Sequence, residues 1–299
     1  MRGALALACA CALSTYAAGA AATYSIVAVD PEHGQVGAAG ASCVPYEVIR
    51  ILGVVPGRGA FVAQANFDDA AFDEAHAMLA AGAGAAEVLA AVTDADRFPQ
   101  APKMQYGVVD ALGGLATRTG SQALPVAAGI ELVYQGDAFA VLGNVLTSTA
   151  VLDQGAEGFT SPGCDLAARL FAALAHAGAG GEGDSRCTDE GRPANSAFLE
   201  VADATGTLVR ISIPDVSPDD PTAQLGADLD AWRAEHPCPE EPRATPTPAK
   251  PFEPRDPGGC SAGGAPAASG PGAALVAAAL AARAARRRRS AGAEGRARR

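Results

Sequence analysis

Small and β-branched residues alternate along Thr23–Asp30 (Thr-Tyr-Ser-Ile-Val-Ala-Val-Asp), which runs into Pro31. A period of two in a short run bounded by turn residues predicts a β-strand. Turn chemistry from Asp30 to Gly34 follows, and Gln35–Ser42 returns as a second strand, so the two form a predicted hairpin. The second strand is almost wholly Gly and Ala, which lets another layer or a ligand approach its backbone closely. Gly59–Asn66 reads as a third strand. The apolar spacing then becomes helical over Asp68–Ala81 and Ala85–Thr93, broken by Gly82 and Gly84, with Asp68 or Asp69 as N-cap.

Further along, Met104–Asp110 and Leu115–Gly120 flank Gly113-Gly114 and predict another hairpin, and Asp137–Asn144 a further strand. Helices are expected near Thr149–Glu157 and Cys164–Ala177. A polar loop from Gly178 to Asn195 then leads to a closing hairpin, Ser196–Ala202 with Leu208–Ile213, and a last helix, Ala223–His236. Hairpins and helix pairs arriving in blocks argue for α+β layers rather than a parallel βαβ array. Two antiparallel sheets face to face, with helices on both outer sides, would bury every amphipathic element. The expected fold is therefore a four-layer αββα sandwich, one domain over residues 23–236 with a flexible C-terminal tail.

The two ends read differently. Residues 1–22 carry one Arg, an apolar Leu/Ala/Cys run and an Ala-x-Ala ending at Ala22, the pattern of a secretory signal peptide. Cleavage by signal peptidase after Ala22 would leave Thr23 as the first residue. A lipoprotein alternative at Cys9 or Cys11 lacks a good lipobox and a long enough apolar run. Residues 237–259 form a Pro-rich linker. Residues 260–299 open with an uncharged stretch to Ala282, followed by Arg283 and the cluster Arg286–Arg289. That order suggests a membrane-anchoring tail, although Pro266 and Pro271 interrupt it and a disordered Ala/Gly tail is the alternative.

Charge narrows the partners. The net charge is −11, and residues 23–258 hold 13 Lys and Arg against 32 Asp and Glu, an acidic surface that disfavours nucleic acid. Of the seven cysteines, Cys43, Cys164, Cys187 and Cys238 lie in the predicted ectodomain and allow three pairings. Cys43 with Cys187 is favoured because each follows a short polar motif beside a strand. Cys164 with Cys238 follows by default, unless a pair stays reduced. No Cys-x-x-Cys exists, and the four His have no metal-site spacing. No Gly-x-Ser-x-Gly elbow or phosphate-binding glycine loop follows a predicted strand, and His-Glu-x-x-His is absent. Asp184, Asp189 and Glu190 read as a solvated loop rather than a calcium site. Neither metal nor cofactor is expected.

The candidate chemistry sits at the head of the first strand. A threonine with a free α-amine carries both a nucleophilic hydroxyl and a base of pKa about 8. Ser25 shares its face of the strand at i+2, and Ser42 lies across the hairpin, although both also suit a packed sheet. Gly143-Asn144 ends a strand with a backbone N–H and a side-chain amide, a combination suited to an oxyanion hole or simply to a turn. Gln64 and Asn66 close the third strand and could line the same cleft as substrate-binding residues. Lys103, in a loop after Pro102, is given no role, so the α-amine would have to act as the base.

The strings Thr23-Tyr-Ser-Ile-Val-Ala-Val-Asp-Pro, Gly37-Ala-Ala-Gly-Ala-Ser-Cys-Val, Gln105-Tyr-Gly-Val-Val-Asp, Gly143-Asn-Val-Leu and Ser196-Ala-Phe-Leu resemble the domain-of-unknown-function 1028 family. That resemblance runs in order from Thr23 to about His236. It implies the Ntn-hydrolase superfamily, the αββα fold, and Thr23 as candidate nucleophile; it supplies no reaction or substrate. In the tail, Gly259-Cys260-Ser261 before a small-residue apolar stretch and an Arg cluster resembles the myxobacterial C-terminal sorting signals, which implies processing near Cys260 by a sorting protease and retention at the cell surface. The expected protein is a secreted, envelope-anchored amidohydrolase acting on a small-molecule or peptide amide. A non-catalytic surface module on the same fold is the alternative.

Overall fold

The structure is a computed structural model that describes residues 23–238. The chain opens with the hairpin β1 (Thr23–Asp30) and β2 (Gln35–Ser42), followed by β3 (Leu52–Val55) and β4 (Gly59–Gln64). Helices α1 (Asp69–Ala81) and α2 (Ala85–Val92) precede the hairpin β5 (Gln105–Asp110) and β6 (Leu115–Thr119). Another hairpin, β7 (Ala128–Tyr134) and β8 (Asp137–Asn144), leads to α3 (Ala150–Thr160), α4 (Leu166–Ala177) and the single turn α5 (Ser185–Thr188). The hairpin β9 (Ser196–Asp203) and β10 (Gly206–Ile213) and the helix α6 (Pro221–Glu235) complete the order.

The strands form two sheets, six-stranded in the order β10-β9-β2-β1-β8-β7 and four-stranded in the order β3-β4-β5-β6. Every strand pair is antiparallel. Helices α3, α4 and α6 cover the outer face of the larger sheet, and α1 and α2 that of the smaller. The result is the αββα sandwich that the block pattern of hairpins and helix pairs predicts. All eight residues of β1 are buried, because both of its faces meet apolar layers. Tyr24, Ile26 and Ala28 point to the helix side, and Val27 and Val29 to the layer between the sheets.

Strands β3 and β7 are absent from the sequence reading. Both are edge strands with one hydrogen-bonded neighbour. In β7 the packed positions Ile130, Leu132 and Tyr134 alternate with Glu131 and an outward Val133, a weak signal beside the fully buried strands. Helix α1 begins after Asp68, whose side chain accepts from the backbone N–H groups of Ala70 and Ala71, so Asp68 rather than Asp69 is the cap.

Both favoured disulfides are present. Cys43–Cys187 ties the chain just after β2 to α5, and Cys164–Cys238 ties the approach to α4 to the chain after α6. Among the described residues, no helix is long and apolar enough to cross a membrane. The expected signal peptide at 1–22, the linker beyond Cys238, Cys260 and the tail at 260–299 lie outside the described residues.

Candidate functional site

Register brings the candidate residues into one line. Thr23 pairs with Asn144 across β1 and β8, and Ser42 with Ser196 across β2 and β9. One residue beyond the Tyr24–Ala41 pair, the Thr23 hydroxyl donates to Ser42 Oγ at 3.2 Å. Ser196, Ser42, Thr23 and Asn144 thus form a transverse row over four adjacent strands, about 14 Å long at the usual strand spacing. All four are buried, and Thr23 is 1% exposed. The alternation that sends Val27, Val36, Leu142 and Phe198 into the layer between the sheets sends these four side chains the same way. Gly40, next on that face of β2, is required to be small: a Cβ there would lie 2.7 Å from Ser25 Oγ and 2.6 Å from the Phe198 ring.

The smaller sheet answers with two amides. Gln64 ends β4, Gln105 begins β5, and the two are register partners. Gln105 Nε2 donates to the backbone carbonyls of Ala128 and Gly143 at 2.9 and 3.0 Å and to Thr119 Oγ1 at 2.8 Å. Carbonyl oxygens accept only, so these contacts fix which end of the Gln105 amide is nitrogen. Its Oε1 therefore faces donors, namely Gln64 Nε2 at 2.8 Å and Asn144 Nδ2 at a long 3.4 Å. Gln64 Nε2 also reaches the Thr23 carbonyl at 3.3 Å, and Gln64 Oε1 accepts from Ser25 Oγ at 2.8 Å.

This chain of orientations leaves two atoms over. Asn144 Oδ1 and Ser196 Oγ are buried and make no hydrogen bond. Asn144, expected as an oxyanion donor, thus directs its amide nitrogen at Gln105 and its carbonyl oxygen elsewhere. None of the clustered side chains is a carboxylate, imidazole or thiol, so the cluster is electrically neutral and lacks a charged ligand set for a divalent metal. One residue past Ser42, the Cys43 N–H donates to Asp184 Oδ2 at 2.6 Å, and Arg186 pairs with the same carboxylate. That buried charge is therefore balanced locally.

Both strand ends leave the cluster through left-handed backbone. Ala65 follows Gln64 at φ 75°, and Val145 follows Asn144 at φ 52°. A β-branched residue is strained there. Hydrogen bonds on both sides hold Val145 in place: its N–H donates to Leu124 O, and its carbonyl accepts from the Ser185 N–H and Oγ. The turn at Ala65 also explains Asn66. Alternation would return Asn66 to the face of Gln64, but the chain has rotated, and Asn66 Nδ2 donates to Gln100 Oε1 outside the network.

Thr23, Ser25, Ser42, Gln64 and Asn144 are brought together, then, and Asn66 is not. Lys103 stands exposed in the turn before β5, away from these bonds. Gln105, Ser196 and Thr119 were missed. Gln105 and Ser196 carried a signal: like Thr23, each is a polar residue heading a mostly buried strand.

A family model described as a family of unknown function (DUF1028) matches residues 23–225. Among solved structures, a Silicibacter pomeroyi crystal structure that carries the same family model is similar at TM-score 0.58 and 24% identity, covering 71% of this chain and 89% of that one. That likeness extends to the fold. No curated protein matches the chain.

Proposed function

We propose that this chain, which belongs to the DUF1028 family of unknown function, is an amide-bond hydrolase whose nucleophile is Thr23, freed as an amino-terminal residue. The observation that carries this reading is the place of Thr23. It is the first residue of β1, its side chain faces the layer between the sheets, and its hydroxyl is bonded to Ser42 within a neutral polar cluster.

In the reaction the α-amine takes the hydroxyl proton as Thr23 Oγ1 attacks the substrate carbonyl. Collapse of the tetrahedral intermediate breaks the C–N bond, and the proton held by the amine passes to the leaving nitrogen. Water then attacks the Thr23 ester with the same amine as base, and the hydroxyl is restored. A cluster without ionisable side chains suits an uncharged amide, either a small molecule or a peptide. Secretion is part of the same reading, since the pairs Cys43–Cys187 and Cys164–Cys238 belong in an oxidising compartment. Processing after Ala22 and anchoring through the tail at 260–299 rest on the sequence of those segments.

The test is a comparison of three chains on a panel of amide substrates. One begins at Thr23, one begins at Thr23 with Thr23→Ala, and one retains an extra residue before Thr23. Hydrolysis by the first alone supports the reading; equal hydrolysis by all three overturns it. The near-complete burial of Thr23 favours the second reading, a non-catalytic surface module, for which none of the three hydrolyses an amide.

A further inference from the structure

We propose that Asn144 is a positioning residue for the α-amine of Thr23, with Oδ1 accepting a hydrogen bond from that amine. This rests on the reading of Thr23 as an amino-terminal nucleophile. Two observations carry it. Asn144 is the cross-strand partner of Thr23, and both side chains point into the same layer, where directly opposed Cβ atoms lie about 5 Å apart. Asn144 Oδ1 is also a fully buried acceptor with no partner.

Its orientation follows from the carbonyls of Ala128 and Gly143. They fix the Gln105 amide, Gln105 Oε1 then requires donors, and Asn144 Nδ2 is one of them. Flipping Asn144 would set its oxygen against Gln105 Oε1. The atom of the Asn144 amide left without a partner is therefore an acceptor. An acceptor suits an amine or ammonium and opposes an oxyanion. Around it stand Gln105 and Gln64, whose polar atoms are already engaged by Thr23 O, Ser25, Thr119 and the two backbone carbonyls. Among the three side-chain amides of the cluster, Asn144 Oδ1 is thus the acceptor without a partner.

A hydrogen bond from the ammonium to Oδ1 favours the charged amine and raises its pKa, so loss of the acceptor lowers it. The experiment titrates the Thr23 α-amine by NMR, with isotope-labelled threonine, in the chain that runs from Thr23 to Arg299. Asn144→Ala should lower the amine pKa by about one unit. Asn144→Asp, which keeps an acceptor and adds charge, should raise it above the wild-type value. Ser196→Ala, two strands away on the same row, should leave it unchanged.

An amine indifferent to Asn144→Ala overturns the proposal, as does an equal fall in the Ser196 variant. Should Asn144→Ala fail to fold, the upward shift in Asn144→Asp decides alone, and its absence overturns the assignment. Amide hydrolysis is measured on the same samples. An amine tuned by Asn144 in a chain that cleaves no amide supports this assignment and sinks the hydrolase reading; the converse result does the reverse.

Discussion

The side-chain amide of Gln105, on the four-stranded sheet, donates to the backbone carbonyl of Gly143, on the six-stranded sheet, at 3.0 Å. The same nitrogen reaches Ala128 O and Thr119 Oγ1, so one buried amide ties β5, β6, β7 and β8 together. Over most of their area the two sheets meet through aliphatic side chains such as Val27, Val62 and Leu142. At the end that holds Thr23 they meet through hydrogen bonds. Those bonds have direction, and they turn sheet packing into a fixed arrangement of donors and acceptors around the candidate nucleophile.

Gln105→Leu should be among the costliest single changes in the described residues. It leaves one buried and one partly buried backbone carbonyl, and the amides of Gln64 and Asn144, short of a partner, a loss of about 2–4 kcal/mol. Urea unfolding of the variant measures this. A change below about 0.5 kcal/mol would show that the network does not hold the sheets together.

Val145→Gly should stabilise the fold. Glycine accepts φ 52° without strain, and Val145 is only partly buried, so the relief outweighs the lost side chain and the entropy of the unfolded glycine. A gain of about 0.5–1 kcal/mol is expected as a shift of the denaturant midpoint. A clear loss would mean that the side chain, not the backbone, sets the balance at this position.

Replacing Cys43 and Cys187 together by Ser should cost about 2–5 kcal/mol, because the bridge closes a long loop of the unfolded chain. The sequence separation is 144 residues. Thermal unfolding under non-reducing conditions checks the cost. A wild-type protein that labels fully at both thiols before reduction would contradict the bridge.

Glu200 should give the stability curve a slope of unusual sign. Its carboxyl is pushed above the ordinary value of 4.5 by burial, with Arg210 opposing the shift from across the hairpin. An acid with a raised native pKa binds more protons folded than unfolded between the two values. Its contribution is therefore complete below the ordinary carboxylate range and declines as pH rises through the folded pKa. Glu200→Gln should flatten that decline in unfolding experiments run from pH about 4 to 7. An unchanged slope would assign it to other groups.

Much of the framework was determined by the sequence alone. The strands Gln35–Ser42 and Asp137–Asn144 and the end of the first strand at Asp30 have the same bounds in the structure as in the alternating pattern, because a polar or turn residue closes each buried run. The turn at Asp30–Gly34 likewise fixes the pairing of β1 with β2, so the neighbourhood of Thr23 and Ser42 was readable from local chemistry. Edge strands β3 and β7 were not, since one partner and a half-exposed face leave a weak periodicity. Asn66 misled for a related reason: alternation holds only while the strand continues, and the left-handed Ala65 ends it. Only the tertiary structure decided that Asn144 stands opposite Thr23, that Ser196 extends their row, and that Gln105 closes it from the facing sheet. Those relations depend on the register between strands distant in sequence and on the direction of amide dipoles. Neither leaves a mark on the order of residues, because both are settled by which backbone groups remain to be satisfied once the layers have packed.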